Sequence, residues 1–254
     1  MTPIPSAAQW GTPAASKRAL LIHGNTSSAY TWETIAQGLA KAGYLVTAPN
    51  MLGHGYRRSG DLRLSALAED LRSYFAGGII YDVIVGHSLG ADVALALIPF
   101  LPTDKMTAMV LVDPVLEFDQ GFLARVEKGS TEGILNVRSL ESYMSDHPTW
   151  TRQDVVSRVM GLHMVQGDLV TQVLAQNVPF SFKHLFSAIP PHVDVTVLVA
   201  DPELSIICPP DQVPVRPQVR SVLVKGSGHW MQHEKPDLVI NTVLDTVEKL
   251  AAGP

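Results

Sequence analysis

The chain is short of several features that mark common functional classes. Its 254 residues contain a single cysteine, Cys208, so no disulfide can form within the chain, and a reducing compartment is expected. Lysine and arginine form no stripe; the longest basic run is Arg57-Arg58, and the net charge is −5. This charge pattern argues against a nucleic-acid partner.

Long apolar runs are also missing. Residues 1–16 lack a basic start followed by an apolar core, so they do not resemble a secretory signal. No apolar run is long enough to span a bilayer. We therefore expect a cytoplasmic protein without a membrane partner. With 46% apolar residues, the chain can still bury a substantial core in one large domain.

One stretch carries the strongest chemical signal. The β-branched run at 83–85 leads into Gly-His-Ser-Leu-Gly at 86–90, and an apolar, helix-like segment follows. A G-x-S-x-G pattern between a strand and a helix is typical of a sharp turn that exposes a nucleophilic serine. The two glycines keep this turn uncrowded. Ser88 is therefore the predicted nucleophile.

The order of the remaining segments predicts an α/β architecture. Apolar strands alternate with amphipathic helices, which favours a doubly wound, mostly parallel sheet of about six to eight strands. Residues 1–17 look like an irregular lead-in, which would leave six strands. The division that we expect is a core of residues 1–115 and 192–254 with an inserted helical cap of residues 116–191. The helices predicted within that cap are Phe118–Glu127, Val137–Met144, Arg152–Met160 and Gln166–Ala175.

A serine nucleophile needs a base and a group that orients the base. His229 lies in a glycine-rich loop directly after the last strand, where it would meet Ser88 at the carboxyl edge of the sheet. Three carboxylates compete to hold His229 in the correct tautomer. Asp201 closes the penultimate strand and is preferred; Asp113 ends the strand that follows the elbow, and Glu203 is the third candidate.

An oxyanion formed on the substrate needs backbone N–H donors. One predicted donor is the N–H of Leu89, at the start of the helix after the serine. The second comes from the turn after the first apolar strand and is assigned to Asn25. Gly24 would let the backbone of that turn approach closely.

These features together resemble the α/β-hydrolase superfamily. The segments that carry the resemblance lie in the expected order, as His23-Gly24, Gly53-His54-Gly55, Gly86-His-Ser-Leu-Gly90 and Gly228-His229. The resemblance implies the fold, a Ser88 nucleophile, a His229 base and oxyanion donors at Asn25 and Leu89. It implies no metal and no cofactor.

The sequence departs from the family pattern at the acid. The common Gly-x-x-Asp-x-x-x-Pro pattern, counted back from Pro209, puts Ser205 where the acid usually lies. This departure keeps Asp113 open as the third member of the triad. The turn that begins at His23 also looks like that of haloalkane dehalogenases. Their chemistry needs a carboxylate nucleophile, usually followed by tryptophan, and Ser88-Leu89 excludes it.

The function predicted from these residues is that of a serine hydrolase. It would cleave an ester or lactone of a small to medium-sized, mostly apolar carbonyl compound through an acyl-enzyme. Lys183 and Arg125 could meet a carboxylate. The alternatives are a receptor-like ligand-binding module with little turnover and a C–C hydrolase or lyase on the same triad; the oligomeric state stays open. The residues expected to contact substrate are Gly24, Trp150, Met164, Phe180, Phe186 and Trp230.

Overall fold

A computed structural model describes residues 6–252 as one sheet flanked by helices. Within those residues the sheet has seven strands, in agreement with the predicted architecture. The strands are β1 (Ala7–Trp10), β2 (Lys17–Ile22), β3 (Tyr44–Pro49), β4 (Val83–His87), β5 (Thr107–Val112), β6 (Val193–Ala200) and β7 (Val219–Val224).

The strand order is β1-β3-β2-β4-β5-β6-β7, and each neighbouring pair is parallel except β1 with β3. The prediction of a wholly irregular lead-in was wrong for β1, where Ala7 pairs with Pro49 and Trp10 with Val46. Residues 1–5 of that lead-in lie outside the described residues. Strand β1 is a short edge strand whose residues are only partly buried, so it lacks the apolar run by which buried strands are recognised.

Alternate residues of each strand point to opposite faces of the sheet, and helices cover the apolar residues on both faces. Leu20 and Ile22 of β2 pack on one face with helices α2 (Leu64–Leu71) and α3 (Leu89–Ala96). Leu21, from the same strand, packs on the other face. That face is covered by α1 (Glu33–Lys41) and by the terminal helix α9 (Pro236–Ala252), which follows the short helix α8 (Met231–Glu234).

Four α-helices lie between β5 and β6, as the sequence predicts for this stretch, and a 3-10 helix (Lys183–Ala188) follows them. The α-helices are α4 (Gln120–Leu135), α5 (Leu140–Asp146), α6 (Arg152–His163) and α7 (Leu169–Gln176). Tyr143, Trp150, Val155 and Leu162 form a small apolar cluster of their own. Among residues 6–252, no helix is long and apolar enough to cross a bilayer.

Candidate active site

Ser88 occupies the turn between β4 and α3 in a strained backbone conformation, with φ 53° and ψ −128°. The turn is tight because strand and helix nearly touch. A Cβ at Gly86 would lie 2.4 Å from the Gly90 carbonyl oxygen, and a Cβ at Gly90 would lie 2.3 Å from the His23 carbonyl oxygen. Only glycine fits at these two positions, which explains the spacing of the motif.

His229 follows β7 and is paired with Asp113, which ends β5. The His229 Nδ1 atom donates a hydrogen bond of 2.6 Å to Asp113 Oδ2, and the Asp113 side chain is fully buried. Asp113 is held in turn by the Ala200 N–H and the Ser205 hydroxyl, each at 3.2 Å. This pairing fixes the tautomer of His229 and leaves its Nε2 to accept a proton.

The preference for Asp201 as the partner of His229 was wrong. Asp201 accepts hydrogen bonds from the N–H groups of Gly226 at 2.9 Å and Glu203 at 3.2 Å, which hold the pKa of its carboxyl below the usual value. A turn that begins at Asp201 directs its carboxylate toward the loop after β7 and away from His229. Glu203, the third candidate, lies exposed on that turn.

The loop that carries His229 is braced by His87, the residue before the serine. The His87 Nε2 atom donates to the His229 carbonyl oxygen at 2.9 Å, and the two rings lie 4.6 Å apart. Burial keeps the pKa of His87 well below its ordinary value, so the ring is neutral. Within residues 6–252 no hydrogen bond joins the Ser88 hydroxyl to His229. Such contacts are often long in a free enzyme and shorten when substrate binds.

The two predicted oxyanion donors, Asn25 and Leu89, border the same cavity as Ser88. Among the described residues, neither N–H donates a hydrogen bond to another protein group. Gly24 packs directly against the serine, since a Cβ there would lie 2.9 Å from Ser88 Cβ. Its turn is fixed by His23, whose Nδ1 donates to the Gly24 carbonyl at 2.8 Å and whose pKa burial lowers to about 4.

The cavity has a volume of about 340 Å³ and contains both Ser88 and His229 in its wall. Of the predicted substrate contacts, Phe180 and Trp230 line it. Residues from α4, α6 and α7 form much of the remaining wall, so the insertion contributes to the site. The size falls within the range of small-molecule sites.

The other predicted substrate contacts lie outside this wall. Trp150 is buried against the ring of His233 at 4.5 Å. Phe186 is 1% exposed in the main core, and Met164 contributes its carbonyl to a hydrogen bond with the Tyr56 N–H. Gly24 lies behind the serine. The scattered aromatic residues of this segment therefore serve mainly for packing. The sequence could not separate them from wall residues, because the spacing of the inserted helices gives no sign of which side faces the sheet.

Arg158 is a wall residue that the sequence did not single out. It lies in α6 and donates to the Thr26 carbonyl at 2.5 Å and to the Thr26 hydroxyl at 3.1 Å. Arg125 also lines the cavity, whereas Lys183 forms an ion pair with Glu117 on the outside of it. A lone arginine in a weakly patterned helix gives no sequence signal for this position.

Comparison with known proteins gives a family match over most of the chain. A sequence model described as the alpha/beta hydrolase family matches residues 19–242. An esterase from Mycobacterium tuberculosis (strain ATCC 25618 / H37Rv) is 34% identical over 115 residues, which cover 42% of this chain. That alignment spans only 36% of the relative's length.

Two solved structures resemble the chain over nearly its whole length. One is N-formylmaleamic acid deformylase from Pseudomonas putida S16, with 23% identity, a TM-score of 0.71 and coverage of 94% of this chain and 95% of that one. The other is E-2-(acetamidomethylene)succinate hydrolase, with 15% identity, a TM-score of 0.77 and coverage of 96% and 94%. At these identities the likeness establishes the fold.

Proposed function

The chain belongs to the alpha/beta hydrolase family, and from this premise we propose that it cleaves a carboxylic ester or lactone with Ser88 as nucleophile. The observation that carries the proposal is that His229, which is hydrogen-bonded to Asp113, lines the same cavity as the strained serine. The similarity to an esterase over 115 residues supports the ester class.

The first half of the reaction forms an acyl-enzyme. His229 Nε2 takes the hydroxyl proton of Ser88 while the Ser88 oxygen attacks the carbonyl carbon of the substrate. The carbonyl electrons move onto oxygen, which the N–H groups of Asn25 and Leu89 stabilise by a few kcal/mol each. When the tetrahedral intermediate collapses, His229 returns the proton to the departing alkoxide, and the ester C–O bond breaks. The alcohol leaves.

The second half regenerates the enzyme. Water enters, His229 removes one of its protons, and the hydroxide attacks the acyl carbon bound to Ser88. Collapse of this second intermediate breaks the bond to Ser88 oxygen, which recovers its proton from His229. Asp113 stabilises the imidazolium that forms twice in each cycle.

The shape of the cavity favours a small to medium-sized substrate. Its volume of about 340 Å³ accommodates a short acyl chain and a modest alcohol, and side chains such as Val173, Leu174 and Phe180 offer apolar contact. We propose that residues 116–191 act as a cap, since α4, α6 and α7 each place residues in the wall of the cavity that contains Ser88.

Labelling with a fluorophosphonate probe, combined with hydrolysis of p-nitrophenyl esters, tests the proposal. We expect wild-type protein to be labelled and active, and Ser88→Ala to lose labelling and at least about 10³-fold in kcat because the nucleophile is gone. Ser65→Ala removes an exposed hydroxyl from α2 and is the matched control.

The competing hypothesis, a ligand-binding protein on this fold, predicts a different result. It is favoured if wild-type protein neither reacts with the probe nor turns over a panel of esters and lactones. Labelling that persists in Ser88→Ala would mean that another residue is the nucleophile.

A further inference from the structure

Arg158 places a positive charge in the wall of the cavity that contains Ser88. Its guanidinium carbon lies 4.7 Å from the centre of the Trp230 ring, and its hydrogen bonds go to the backbone and hydroxyl of Thr26. Both of these partners are uncharged. Within residues 6–252, Arg158 forms no ion pair with a carboxylate.

A guanidinium without a counter-ion is costly where water is scarce. The surrounding protein lowers the pKa of Arg158 to about 10 by desolvation, so the group is still charged at neutral pH. Charged groups removed from water are normally paired, and breaking such a pair is expensive. In the described part of the chain, no carboxylate lies within ion-pair distance of Arg158.

The rest of the cavity wall does not supply a negative charge either. Among the described residues that line it, none is aspartate or glutamate. Arg125 adds a second cation to the wall, and its guanidinium carbon lies 5.3 Å from the centre of the Phe122 ring. Asp113 lies behind His229, which it already pairs. The electrostatic complement of this cavity is therefore an anion.

We propose that the substrate carries a carboxylate that Arg158 binds while the ester carbonyl lies at Ser88. This inference rests on the proposed ester hydrolysis and narrows its substrate to monoesters of short dicarboxylic acids. A planar guanidinium matches a carboxylate with two parallel hydrogen bonds, which lysine cannot offer. Apolar side chains in the cavity wall, such as Val173, Leu174 and Phe180, suit a short methylene chain, and the cavity volume limits its length.

Arg158 also holds Thr26, the neighbour of the proposed oxyanion donor Asn25. A variant could therefore lose activity simply because this turn moves. The two roles differ in what they do to substrates of different charge. A displaced turn slows every ester alike, whereas a lost carboxylate contact slows only the anionic ones.

The experiment compares kcat/KM for monoethyl succinate, glutarate and adipate with that for ethyl pentanoate, a neutral ester, by titration of released acid. We expect wild-type protein to favour the best of the monoesters by roughly 10- to 100-fold, the worth of one charge-assisted interaction. Arg158→Gln should abolish this preference and retain labelling by a fluorophosphonate. Arg152→Gln, an exposed arginine in the same helix, should keep it.

Each other outcome is decisive. Equal losses on charged and neutral esters in Arg158→Gln, or no preference in wild-type protein, would overturn the carboxylate site while ester hydrolysis stands. If Arg158→Gln does not fold, Arg158→Lys takes its place: it keeps the charge and should retain part of the preference for the monoesters. An Arg158→Lys protein that loses activity on neutral esters but not on the monoesters would contradict the proposal. If no ester is cleaved and Ser88 is not labelled, the proposed function itself has failed.

Discussion

At the scale of single residues, Asp113 is the most constrained group in the candidate site. Its backbone lies in the left-handed region with φ 44°, and its side chain is completely buried. Three donors converge on its two oxygens, from His229, Ala200 and Ser205. A carboxylate accepts all three, whereas an amide would present an NH₂ group to at least one donor.

The contrast between Asp113→Asn and Asp201→Asn follows from these contacts. Asp113→Asn favours the wrong tautomer of His229, so we expect a fall in kcat of about 10⁴-fold, the size known for the corresponding change in a serine protease. Asp201→Asn disturbs the hydrogen bonds from Gly226 and Glu203, neither of which reaches His229, and kcat should fall by less than about tenfold. Steady-state kinetics on one ester measures both. Similar losses in the two variants would show that Asp113 does not orient the base.

The sequence singled out Ser88, Asn25, Leu89 and His229 as candidates because each lies in a local glycine-rich pattern after a strand, and the fold brings all four to one cavity. It could not separate Asp113 from Asp201, since both begin an Asp-Pro pair at the end of a buried strand. The two aspartates differ in their partners from distant parts of the chain: Asp201 accepts a hydrogen bond from Gly226, whereas Asp113 accepts one from His229.

Arg158 was missed for a related reason. Its importance comes from the packing of α6 against the turn at Thr26, which is a tertiary contact. Strand β1 was missed because an edge strand needs no continuous apolar run. Short-range patterns therefore predicted the sheet and most of the site, and long-range contacts decided the remainder.

At the scale of elements, a buried polar chain ties α6 to the core. Asp154, in the first turn of α6, accepts a hydrogen bond of 2.8 Å from His233 Nδ1 in α8, and His233 Nε2 lies 3.0 Å from the Thr31 hydroxyl. Burial alone would raise the pKa of Asp154, but hydrogen bonds from His233 and Thr151 outweigh it and lower the pKa. The link fixes α6, and with it Arg158, relative to the sheet.

We expect Asp154→Asn to lower the free energy of unfolding at neutral pH by about 2 kcal/mol because it breaks a buried pair. A depressed pKa in the folded state contributes stability above the unfolded value near 3.8, and this contribution is lost as the pH falls through the folded pKa. The deficit of the variant should therefore shrink in acid.

Urea denaturation at several pH values measures this effect. Asp104→Asn, at an exposed position, provides the control and should match wild-type protein. A deficit in Asp154→Asn that stays constant from neutral to acidic pH would argue that the carboxylate contributes no charge-dependent stability.

At the scale of the whole molecule, the sheet and the inserted helices differ in how much they bury. Strands β4 and β5 are buried at every position. Helix α4 buries only Leu123 of its 16 residues, and α5 only Tyr143 of its seven. Regions with few buried apolar contacts open at lower free energy, so α4 and α5 belong to the least stable part of the fold.

Hydrogen–deuterium exchange tests this difference. We expect amides of α4 and α5 to exchange at least about tenfold faster than those of β4 and β5. Phosphonylation of Ser88 should slow exchange in α4, because an occupied cavity contacts Val126 and Ser130. Exchange in the terminal helix α9, remote from the cavity, serves as the internal reference. Uniform protection across the chain would contradict the prediction that α4 and α5 open at lower free energy than the strands.

The hydrogen bond from Ser205 to Asp113 has a consequence for where the acid of such a site can be carried. Ser205 stands where the common pattern of this fold puts the acid, and its hydroxyl donates to the same Asp113 oxygen that accepts the hydrogen bond from His229 Nδ1. The two strand ends therefore converge on one point in space. A carboxylate carried on either strand end would therefore face His229, with the histidine in the same place.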